Sequence, residues 1–540
     1  MSKVVYISDF FASQVLGGGE LNDEELLYLL ESAGHNIYKY NSSSITEKIL
    51  EKHKSDFFIV SNFVQLSWEY REWLTYNAAY VVYEHDHKYL VTRNPSVYQD
   101  FKAPARDLRN YFFYKSARKI ICQSDFHRNI IHKNLGLKNI VSVGGNLWSE
   151  ETLKKLSEFS KKEKQPTTAI LDSRTPHKNT HKTTLYCKKK GIEYRLVGDK
   201  SYLSFLDKLS INQKFVFLPA TPETLSRVVC EARMMGMSVA TNNLVGATQE
   251  PWFKLKGENL IVHMRKKKKQ ILEVFIKEIS KIKEDKHRPK VSIVTTFHDG
   301  EIFLDGFLKN IVGQTIFKQC ELIIIDAAST GAEKNLIEEY QSKHSNIVHV
   351  RLKEKLKPTP SLNLAIQKSK GKYIHMSLID DRKHKRSVEY LSDELDKNST
   401  VGLVYGDVFV STTPNETYKQ NNKKKKSEHS SFEFSRENMI KCLPGPMPMW
   451  RSELHESLGF FDDLECNYAD DWEMWLRMIQ QGVKFKKIKH PVGLYLTGGR
   501  SQKENNMEQR QEEARIFFKY ADVFGYNYHK YRDYFSQFVR

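Results

Sequence analysis

The sequence predicts an α/β protein with parallel sheets and more than one domain. Short apolar strands alternate with helical segments along the chain, and this alternation is typical of parallel sheets. Acidic residues follow several of the strands, at the edge where α/β sheets bind their ligands. The chain has 540 residues, which is too long for one core, so we expect roughly two to four domains.

Composition limits the class of protein. Hydrophobic residues make up 40% of the chain and aromatic residues 12%, which excludes a disordered chain. No apolar run approaches the ~18 residues of a transmembrane helix, and the N-terminus runs into a strand without a signal-peptide core. The six cysteines form no CxxC pair, so we expect reduced thiols, no zinc site and a cytoplasmic location, with peripheral membrane contact as the alternative.

The positive charge predicts anionic partners. The formal net charge is +18, and much of it lies in runs such as 265–269 and 423–426. Nucleotide diphosphates, a phospholipid surface, anionic glycans and nucleic acid all fit such a charge. The chain has no recognised nucleic-acid motif, so nucleic acid is the least expected of these partners.

Residues 1–150 predict a first α/β unit. A strand at 4–8 leads into Leu16-Gly-Gly-Gly-Glu20 and an apolar-periodic helix, and a glycine-rich turn at a helix N-terminus leaves backbone N–H groups free to bind an anion. A plain tight turn is the equal alternative. His85 follows another predicted strand, where α/β sheets bind ligands; we expect it to contact an acceptor, with a surface loop as the alternative.

Residues 151–263 predict a second α/β unit. The cations Arg174 and Lys178 follow its first strand, and a later predicted helix opens with Glu223 and carries Glu231 eight residues on. Strands alternate with helices here as well, which indicates a second parallel sheet.

These two cations and two glutamates resemble the C-terminal domain of retaining glycosyltransferases of the family 4 type, which have the GT-B fold, a pair of Rossmann-like domains. The resemblance implies that Arg174 and Lys178 bind the diphosphate of the donor. It also implies that Glu223 lies at the sugar as the catalytic residue and that Glu231 contacts the nucleotide ribose. A module that binds or docks without catalysing is the alternative, since a fold does not by itself establish an activity.

Residues 264–289 predict an amphipathic helix and a linker. Apolar residues recur at helical spacing after the basic run 265–269, which indicates a helix that packs on a domain. The lysines favour a membrane-surface helix as the alternative.

Residues 290–540 predict a further α/β domain with a nucleotide site. Thr296 and Asp326 end two successive predicted strands, and a strand that starts at Tyr373 runs to the adjacent carboxylates Asp380 and Asp381. Acids at neighbouring strand ends indicate a ligand site along one sheet edge. Paired carboxylates also suit a hard cation such as Mg²⁺ or Mn²⁺, which neutralises a departing diphosphate.

This half resembles the family 2 glycosyltransferases, which have the GT-A (nucleotide-diphospho-sugar transferase) fold. The resemblance implies that Thr296 and Asp326 contact the nucleoside, and that Asp380 and Asp381 hold the metal, with Asp381 also at the ribose. Asn363 belongs to the same donor site, and Asp471 matches the catalytic base. The matching segments are VSIVTTFHDG, GQTIFKQCELIIIDAAST, SLNLAIQKSKGKYI, IDDR, GLVYGDVFV, LPGPMPMWRSELHESLGFFDD and ADDWEMWLR.

The chemistry of these positions leaves alternatives open. An inverting transfer needs a base for the acceptor hydroxyl, and Asp471 suits it, although a carboxylate at a helix start is also a usual cap. Trp450 and Trp472 form a candidate aromatic platform for the acceptor sugar, with burial in the core as the alternative. Arg500 or Lys503 is a candidate contact for the diphosphate.

The sequence therefore predicts a two-module glycosyltransferase. The C-terminal module transfers a sugar from a nucleotide-sugar, with UDP the expected nucleotide, to a glycan, glycolipid or protein acceptor. The first half performs a second, retaining transfer or positions the acceptor. The alternatives are a glycan- or nucleotide-binding protein with a decayed first module, and an enzyme that glycosylates a nucleic-acid base.

Overall fold

A computed structural model describes residues 2–281, 288–497 and 507–539. The chain forms two compact units. The first contains Met1–Ala103 and Arg109–Lys286, and the second contains Pro104–Leu108 and His287–Arg540.

The first unit begins with a sheet of six parallel strands in the order β2-β1-β3-β4-β5-β6. The strands β1, β3, β4 and β5 are short, largely apolar runs that are buried almost throughout, whereas the edge strand β2 is more polar and more exposed. The strands are β1 (Lys3–Ser8), β2 (Asn36–Asn41), β3 (Phe57–Val60), β4 (Ala79–Glu84), β5 (Ile120–Cys122) and β6 (Ile140–Ser142). The helices between them are α1 (Gly18–Ser32), α2 (Glu47–Lys52), α3 (Trp68–Asn77), α4 (Tyr111–Ser116) and α5 (Asp125–Leu135).

A second parallel sheet in the same unit has four strands in the order β10-β9-β7-β8. The strands are β7 (Gln165–Leu171), β8 (Tyr194–Val197), β9 (Asn212–Phe217) and β10 (Ser238–Thr241). The helices are α6 (Glu150–Ser160), α7 (Thr180–Lys189), α8 (Tyr202–Ser210) and α9 (Arg227–Met234). Two parallel α/β sheets agree with the predicted α/β class, whereas their assignment as a GT-B pair stays a prediction.

The helix predicted to open with Glu223 begins four residues later, so that prediction was wrong. Glu223 lies in a loop, where its N–H donates to Leu244 and its carbonyl accepts from Gly246. Ser226 has a positive φ of 74°, which a helix excludes. The backbone of the loop is thus bonded to residues that follow β10 instead of forming helical bonds.

The amphipathic helix α10 (Glu258–Ile279) packs on both cores of the first unit. Its first turns place Leu260 and Met264 in the core of the second sheet, and its last turns place Ile271, Phe275 and Ile279 in the core of the first sheet. This confirms the interpretation of a helix packed on a domain. The apolar face is buried, so it is not available to a membrane surface.

Replacing Phe275 by Ala is expected to lower the free energy of unfolding by about 3–5 kcal/mol, because it leaves a cavity beside Tyr83, whose ring centroid lies 5.1 Å away. Urea denaturation followed by circular dichroism measures the change. The control is Val262→Ala on the same helix, where the side chain is 42% exposed and a change within about 0.5 kcal/mol is expected. Equal effects of the two substitutions would contradict the packing of α10.

The second unit contains one mixed sheet of eight strands in the order β13-β12-β11-β14-β17-β16-β18-β15. The strands are β11 (Val291–Phe297), β12 (Cys320–Asp326), β13 (Ile347–Arg351), β14 (Tyr373–Met376), β15 (Arg382–Lys383), β16 (Val401–Ser411), β17 (Met449–Arg451) and β18 (Lys484–Leu496). β11 to β14 are parallel, and β17 is antiparallel to β14 and β16. The strand predicted to reach Asp380 ends at Met376, and the carboxylates follow in a turn before β15.

Eight helices accompany this sheet in the described part of the unit: α11 (Glu301–Val312), α12 (Glu333–Lys343), α13 (Pro358–Lys368), α14 (Ser387–Lys397), α15 (Leu454–Leu458), α16 (Asp470–Gln480), α17 (Met507–Lys519) and α18 (Tyr526–Ser536). No helix in the described ranges has the length and apolar character needed to cross a bilayer. The six cysteines are free thiols, as predicted.

Candidate functional site

The carboxyl ends of the parallel strands in the second unit carry the predicted acids to one sheet edge. β12 ends at Asp326, and β14 leads through a short turn to Asp380 and Asp381. The N–H of Leu496, at the end of β18, donates to Asp381 Oδ1 at 3.2 Å, so β18 ends at the same edge. Strand polarity therefore places these carboxylates together where α/β sheets bind ligands.

Asp326 is fully buried and keeps one oxygen unpartnered. Its Oδ1 accepts the N–H of Ser329 at 2.8 Å. Its Oδ2 receives no hydrogen bond from any described residue, although Arg351 Nε lies 3.6 Å and His349 Nε2 3.7 Å away. A buried acceptor without a donor is costly, so this oxygen suits a hydroxyl or N–H of a ligand.

Asp380 and Asp381 form a pair of like charges, of which Asp381 is buried and Asp380 half-buried. Asp381 Oδ2 has no hydrogen-bond partner in the described ranges. Burial, and then the charge of Asp380, raise the pKa of Asp381, and burial raises the pKa of Asp380. Burial also lowers the pKa of the neighbouring Lys383, and the positive charge of Arg382 opposes the upward pKa shifts of both carboxyl groups.

This pair fits a divalent cation that completes its coordination with other ligands. The described residues contain no group of three or more His, Cys, Asp or Glu side chains that could hold a metal. Mg²⁺ is usually bound by one or two carboxylates together with waters and substrate phosphates, which matches two carboxylates with an unpartnered oxygen. Asp380 and Asp381 are therefore the residues that would hold it.

Asp471 lies in the first turn of α16, as predicted. Its Oδ1 accepts the N–H of Trp472 at 2.7 Å, and its Oδ2 lies 3.6 Å from the thiol of Cys442. The adjacent Asp470 has its pKa raised to about 6, first by burial and then by the charge of Asp471. Two neighbouring carboxylates at a helix N-terminus thus differ in environment.

The loop that holds Asp471 reaches the same edge of the sheet. It runs from Cys442 to Pro448 and enters β17, which is antiparallel to β14. The Pro448 carbonyl lies 2.8 Å from Nδ1 of His375 on β14. Because antiparallel neighbours run in opposite directions, the loop before β17 emerges where β14 ends, and Cys442 at the other end of this loop contacts Asp471.

Two predicted donor contacts have different surroundings. Thr296 is half-buried on β11, opposite Ile325 and next to the end of β12. The Asn363 amide donates to the Phe461 carbonyl at 2.9 Å and accepts the Phe461 N–H at 3.0 Å. Both ends of that amide support the main chain at Phe461, and a donor contact by Asn363 stays a prediction.

Trp450 and Trp472 are core residues, so the predicted aromatic platform was wrong. Trp450 is 0% exposed and donates its indole N–H to His455 Nε2 at 3.0 Å. Trp472 is 5% exposed and donates its indole N–H to the Met439 carbonyl at 2.7 Å. Both rings are buried among other side chains, so neither presents a face to a sugar.

Most of the site residues predicted for the first unit line one cavity of about 520 Å³. The glycine turn Gly17–Gly19, His85, Lys178, Glu223 and Glu231 all line it. Helix α1 starts in this turn, and its N-cap residue Gly17 forms no side-chain capping bond, whereas the Glu20 carboxylate in the first turn accepts the Glu20 N–H. Arg174 is exposed and is not among the lining residues, which corrects its predicted place in the site.

The charged groups in this cavity are paired with one another. Lys178 Nζ lies 2.8 Å from Glu223 Oε1. The buried Glu231 lies 2.9 Å from Arg227 Nε and accepts the indole N–H of Trp148 at 3.0 Å. Burial raises the pKa of Glu231, and Arg227 opposes that shift. The glutamates are thus held rigidly, one by each cation.

His85 is fixed on both ring nitrogens. Nε2 lies 2.6 Å from Asp23 Oδ1, and Nδ1 lies 3.0 Å from Gln123 Nε2. Asp23 is itself buried and accepts the Ser61 hydroxyl at 2.6 Å. A histidine held in this way presents one defined orientation to the cavity.

Sequence reasoning missed Arg227 and Asp23. Arg227 precedes Glu231 by four residues on α9, and i,i+4 spacing of opposite charges is a signal that would have revealed this pair. Asp23 has no such signal, because its partner His85 is 62 residues away. Arg500 and Lys503 lie outside the described residues.

Comparisons with known proteins agree with the geometry of the second unit. Residues 292–459 match the model of glycosyl transferase family 2. An uncharacterized glycosyltransferase of Methanocaldococcus jannaschii is 23% identical over 236 residues, which are 43% of this chain and 78% of that protein. The second half therefore contains a family 2 glycosyltransferase domain, and the chain has glycosyltransferase homologues.

Two solved structures are similar at a low level. The TarS protein of S. aureus in complex with UDP aligns with a TM-score of 0.36 and 14% identity over 44% of this chain and 69% of that chain. The mannosyltransferase PcManGT of Pyrobaculum calidifontis, in complex with GDP-Man and Mn²⁺, aligns with a TM-score of 0.34 and 18% identity over 44% of this chain and 65% of that chain. Similarity of this size assigns no ligand to this chain.

Proposed function

We propose that the second unit transfers a sugar from a nucleotide-sugar to a hydroxyl of a glycan, glycolipid or protein acceptor, with inversion at the anomeric carbon. The expected nucleotide is UDP, and the expected cation is Mg²⁺ or Mn²⁺ at Asp380 and Asp381. The observation that carries the proposal is the unpartnered oxygen of the buried Asp381, at the edge that also holds Asp326 and Asp471.

Each residue has a role in a single displacement. Asp471 takes the proton of the acceptor hydroxyl as its oxygen bonds to the anomeric carbon and the bond to the diphosphate breaks. Trp472 N–H and the Cys442 thiol orient the Asp471 carboxylate for that transfer. A divalent cation, when bound, neutralises the charge that develops on the leaving diphosphate.

The nucleoside lies at the neighbouring strand end in this proposal. Asp326 Oδ2 accepts a hydrogen bond from the nucleoside, which removes the cost of an unpaired buried oxygen. Arg351 Nε lies 3.6 Å from that oxygen. Because this guanidinium is positively charged, the ligand group that donates to Asp326 is expected to be a neutral donor.

Product analysis tests the proposal. The wild-type protein is incubated with a panel of UDP-, GDP- and other nucleotide-linked sugars, with Mg²⁺, with Mn²⁺ and with EDTA, and proton NMR identifies the anomeric configuration of the product. We expect turnover of one donor class, dependent on the cation, with inverted configuration. No cation-dependent turnover of any donor, or an inverted product formed equally well in EDTA, would contradict it.

We infer a second, retaining and metal-independent transfer in the first unit. The glycine turn at the start of α1 and the cation Lys178 line one cavity, which suits a donor diphosphate. Glu223 lies beside Lys178 and is placed to stabilise positive charge on the sugar.

Replacing Glu223 by Gln is expected to lower this metal-independent transfer by about 10²-fold, because it removes a carboxylate from the reacting sugar. Turnover that requires the cation is expected to stay within about twofold of wild type, since the second unit carries that reaction. The measurement is product formation in EDTA and in Mg²⁺, with the exposed Glu193→Gln as the matched control.

One observation favours binding without catalysis in the first unit. The Lys178–Glu223 ion pair already neutralises the cation that a diphosphate needs. A protein that binds nucleotide-sugar in EDTA but forms no product there, with Glu223→Gln binding more tightly, would support a binding module and overturn the second transfer.

A further inference from the structure

A carboxylate from α17 holds the main chain immediately before the proposed base. Glu512 is 2% exposed. Its Oε2 accepts the N–H of Asn467 at 2.8 Å, and its Oε1 accepts the N–H groups of Tyr468 at 2.9 Å and Ala469 at 2.8 Å. These three residues directly precede α16, so one side chain binds three successive backbone donors.

These three N–H groups stabilise the Glu512 charge, which otherwise faces the carboxyl groups of Asp470 and Glu513. No described lysine, arginine or histidine forms an ion pair with Glu512, whereas its neighbour in α16, Glu473, pairs with Arg477 and Lys519. Successive N–H groups that point to one anion form a concave site that binds it without a counter-cation. Bonds from N–H groups to an ionised carboxylate are about twice as strong as neutral ones.

The held segment determines where α16 begins. Asp470 and Asp471 are the first two residues of the helix, so a shift of the segment 467–469 moves both carboxylates. Asp471 is oriented on its other side by the Cys442 thiol at 3.6 Å, which a displaced main chain cannot keep. A displacement of about 1 Å can cost on the order of 10²-fold in rate.

We propose that Glu512 is a positioning residue for the transfer in the second unit: it clamps the main chain of 467–469 and thereby sets the position of Asp471. This inference rests on the proposed role of Asp471. The clamp lies on α17, beyond the residues 292–459 that match the family model, so it is a feature of this chain outside that match.

Hydrogen–deuterium exchange tests the clamp without any assay of activity. In the full-length wild type, the amides of 467–469 are expected to exchange slowly because each donates to Glu512. In Glu512→Ala, their exchange is expected to be at least about tenfold faster. The control is Arg515→Gln, an exposed position one turn away on the same helix, where exchange at 467–469 stays as in wild type. Unchanged exchange in Glu512→Ala would overturn the clamp.

Kinetics test its effect on the reaction. Glu512→Ala is expected to lower kcat by about 10²-fold, with the donor KM within about twofold, because the donor site at Asp326 and Asp381 is not touched. Glu512→Gln keeps one oxygen for two N–H groups but turns an NH₂ toward the third, so an intermediate loss of about tenfold is expected. Arg515→Gln is expected to retain the wild-type kcat.

The outcomes separate the clamp from the proposed function. If the wild type shows no turnover, the proposed function is wrong. The hydrogen–deuterium exchange result still shows whether Glu512 holds the main chain of 467–469. With an active wild type, a kcat of Glu512→Ala within twofold of wild type overturns the positioning role, and so does a rise of donor KM equal to the loss of kcat. If Glu512→Ala does not fold, the same measurements on Glu512→Gln decide the question.

Discussion

Replacing Asp471 by Asn is expected to lower kcat of the metal-dependent transfer by about 10³-fold or more. The amide cannot take a proton from the acceptor hydroxyl, and general base catalysis contributes on the order of 10²–10⁴-fold. The amide keeps the size of the side chain and an oxygen for the N–H of Trp472, so the fold at the start of α16 is retained. The donor KM is expected to change by less than about threefold.

Steady-state kinetics with the donor identified in the product assay measures this effect. The matched control is Asp533→Asn, an exposed position on α18, which is expected to have wild-type kinetics. Asp470→Asn distinguishes the two adjacent carboxylates. A greater loss of kcat in Asp470→Asn than in Asp471→Asn would assign the base to Asp470 instead.

Replacing Asp381 by Asn is expected to abolish the response to Mg²⁺ or Mn²⁺ and to lower kcat by about 10³-fold. The cation loses one of its two protein ligands and the charge that attracts it. In wild type, Mn²⁺ is expected to raise the Tm, because it relieves the repulsion between the buried Asp381 and the half-buried Asp380. Burial raises the pKa of Asp381, so a proton competes with the cation as the pH falls.

The sign of the pH dependence follows from that competition. A carboxyl whose folded pKa is raised is destabilising once ionised, so without a cation the contribution of Asp381 to stability is lost as the pH rises through that pKa. The increase in Tm on adding Mn²⁺ is therefore expected to be larger at pH 8 than at pH 5.5. Thermal denaturation at both pH values checks this, with Asp533→Asn as control. An equal increase in Asp381→Asn would place the cation elsewhere.

In both units, local sequence pattern predicts strands, but it does not predict every helix start. Strands such as β1, β3, β4, β11 and β12 were predictable, because each is a short apolar run next to a turn, and burial on both faces of a parallel sheet requires such runs. The strands β2, β6, β15, β17 and β18 were not predicted. The start of α9 was not predictable. The segment after Glu223 has helix-forming residues, yet its backbone bonds to residues near 244–246 take precedence over helical ones.

The surroundings of the tryptophan side chains were likewise not predictable from local sequence pattern. Trp450, Trp472 and Trp475 all suit either a sugar platform or a core, and their types and spacing do not distinguish the two. The structure buries all three: the ring centroids of Trp450 and Trp475 lie 5.2 Å apart, and Trp472 packs against Phe524 and Phe535. Which neighbours a ring meets depends on packing between distant segments.

The sequence alone determined the α/β class, several of the buried strands and the acid Asp326 at the end of one of them, since these follow from local periodicity and from the direction of each strand. Only the tertiary structure decided which carboxylate oxygens remain unpartnered, as in Asp326 and Asp381, and that Glu512 holds the approach to Asp471. The physical reason is that hydrogen bonds and desolvation act between residues far apart in the chain, and these are brought together only when the cores pack.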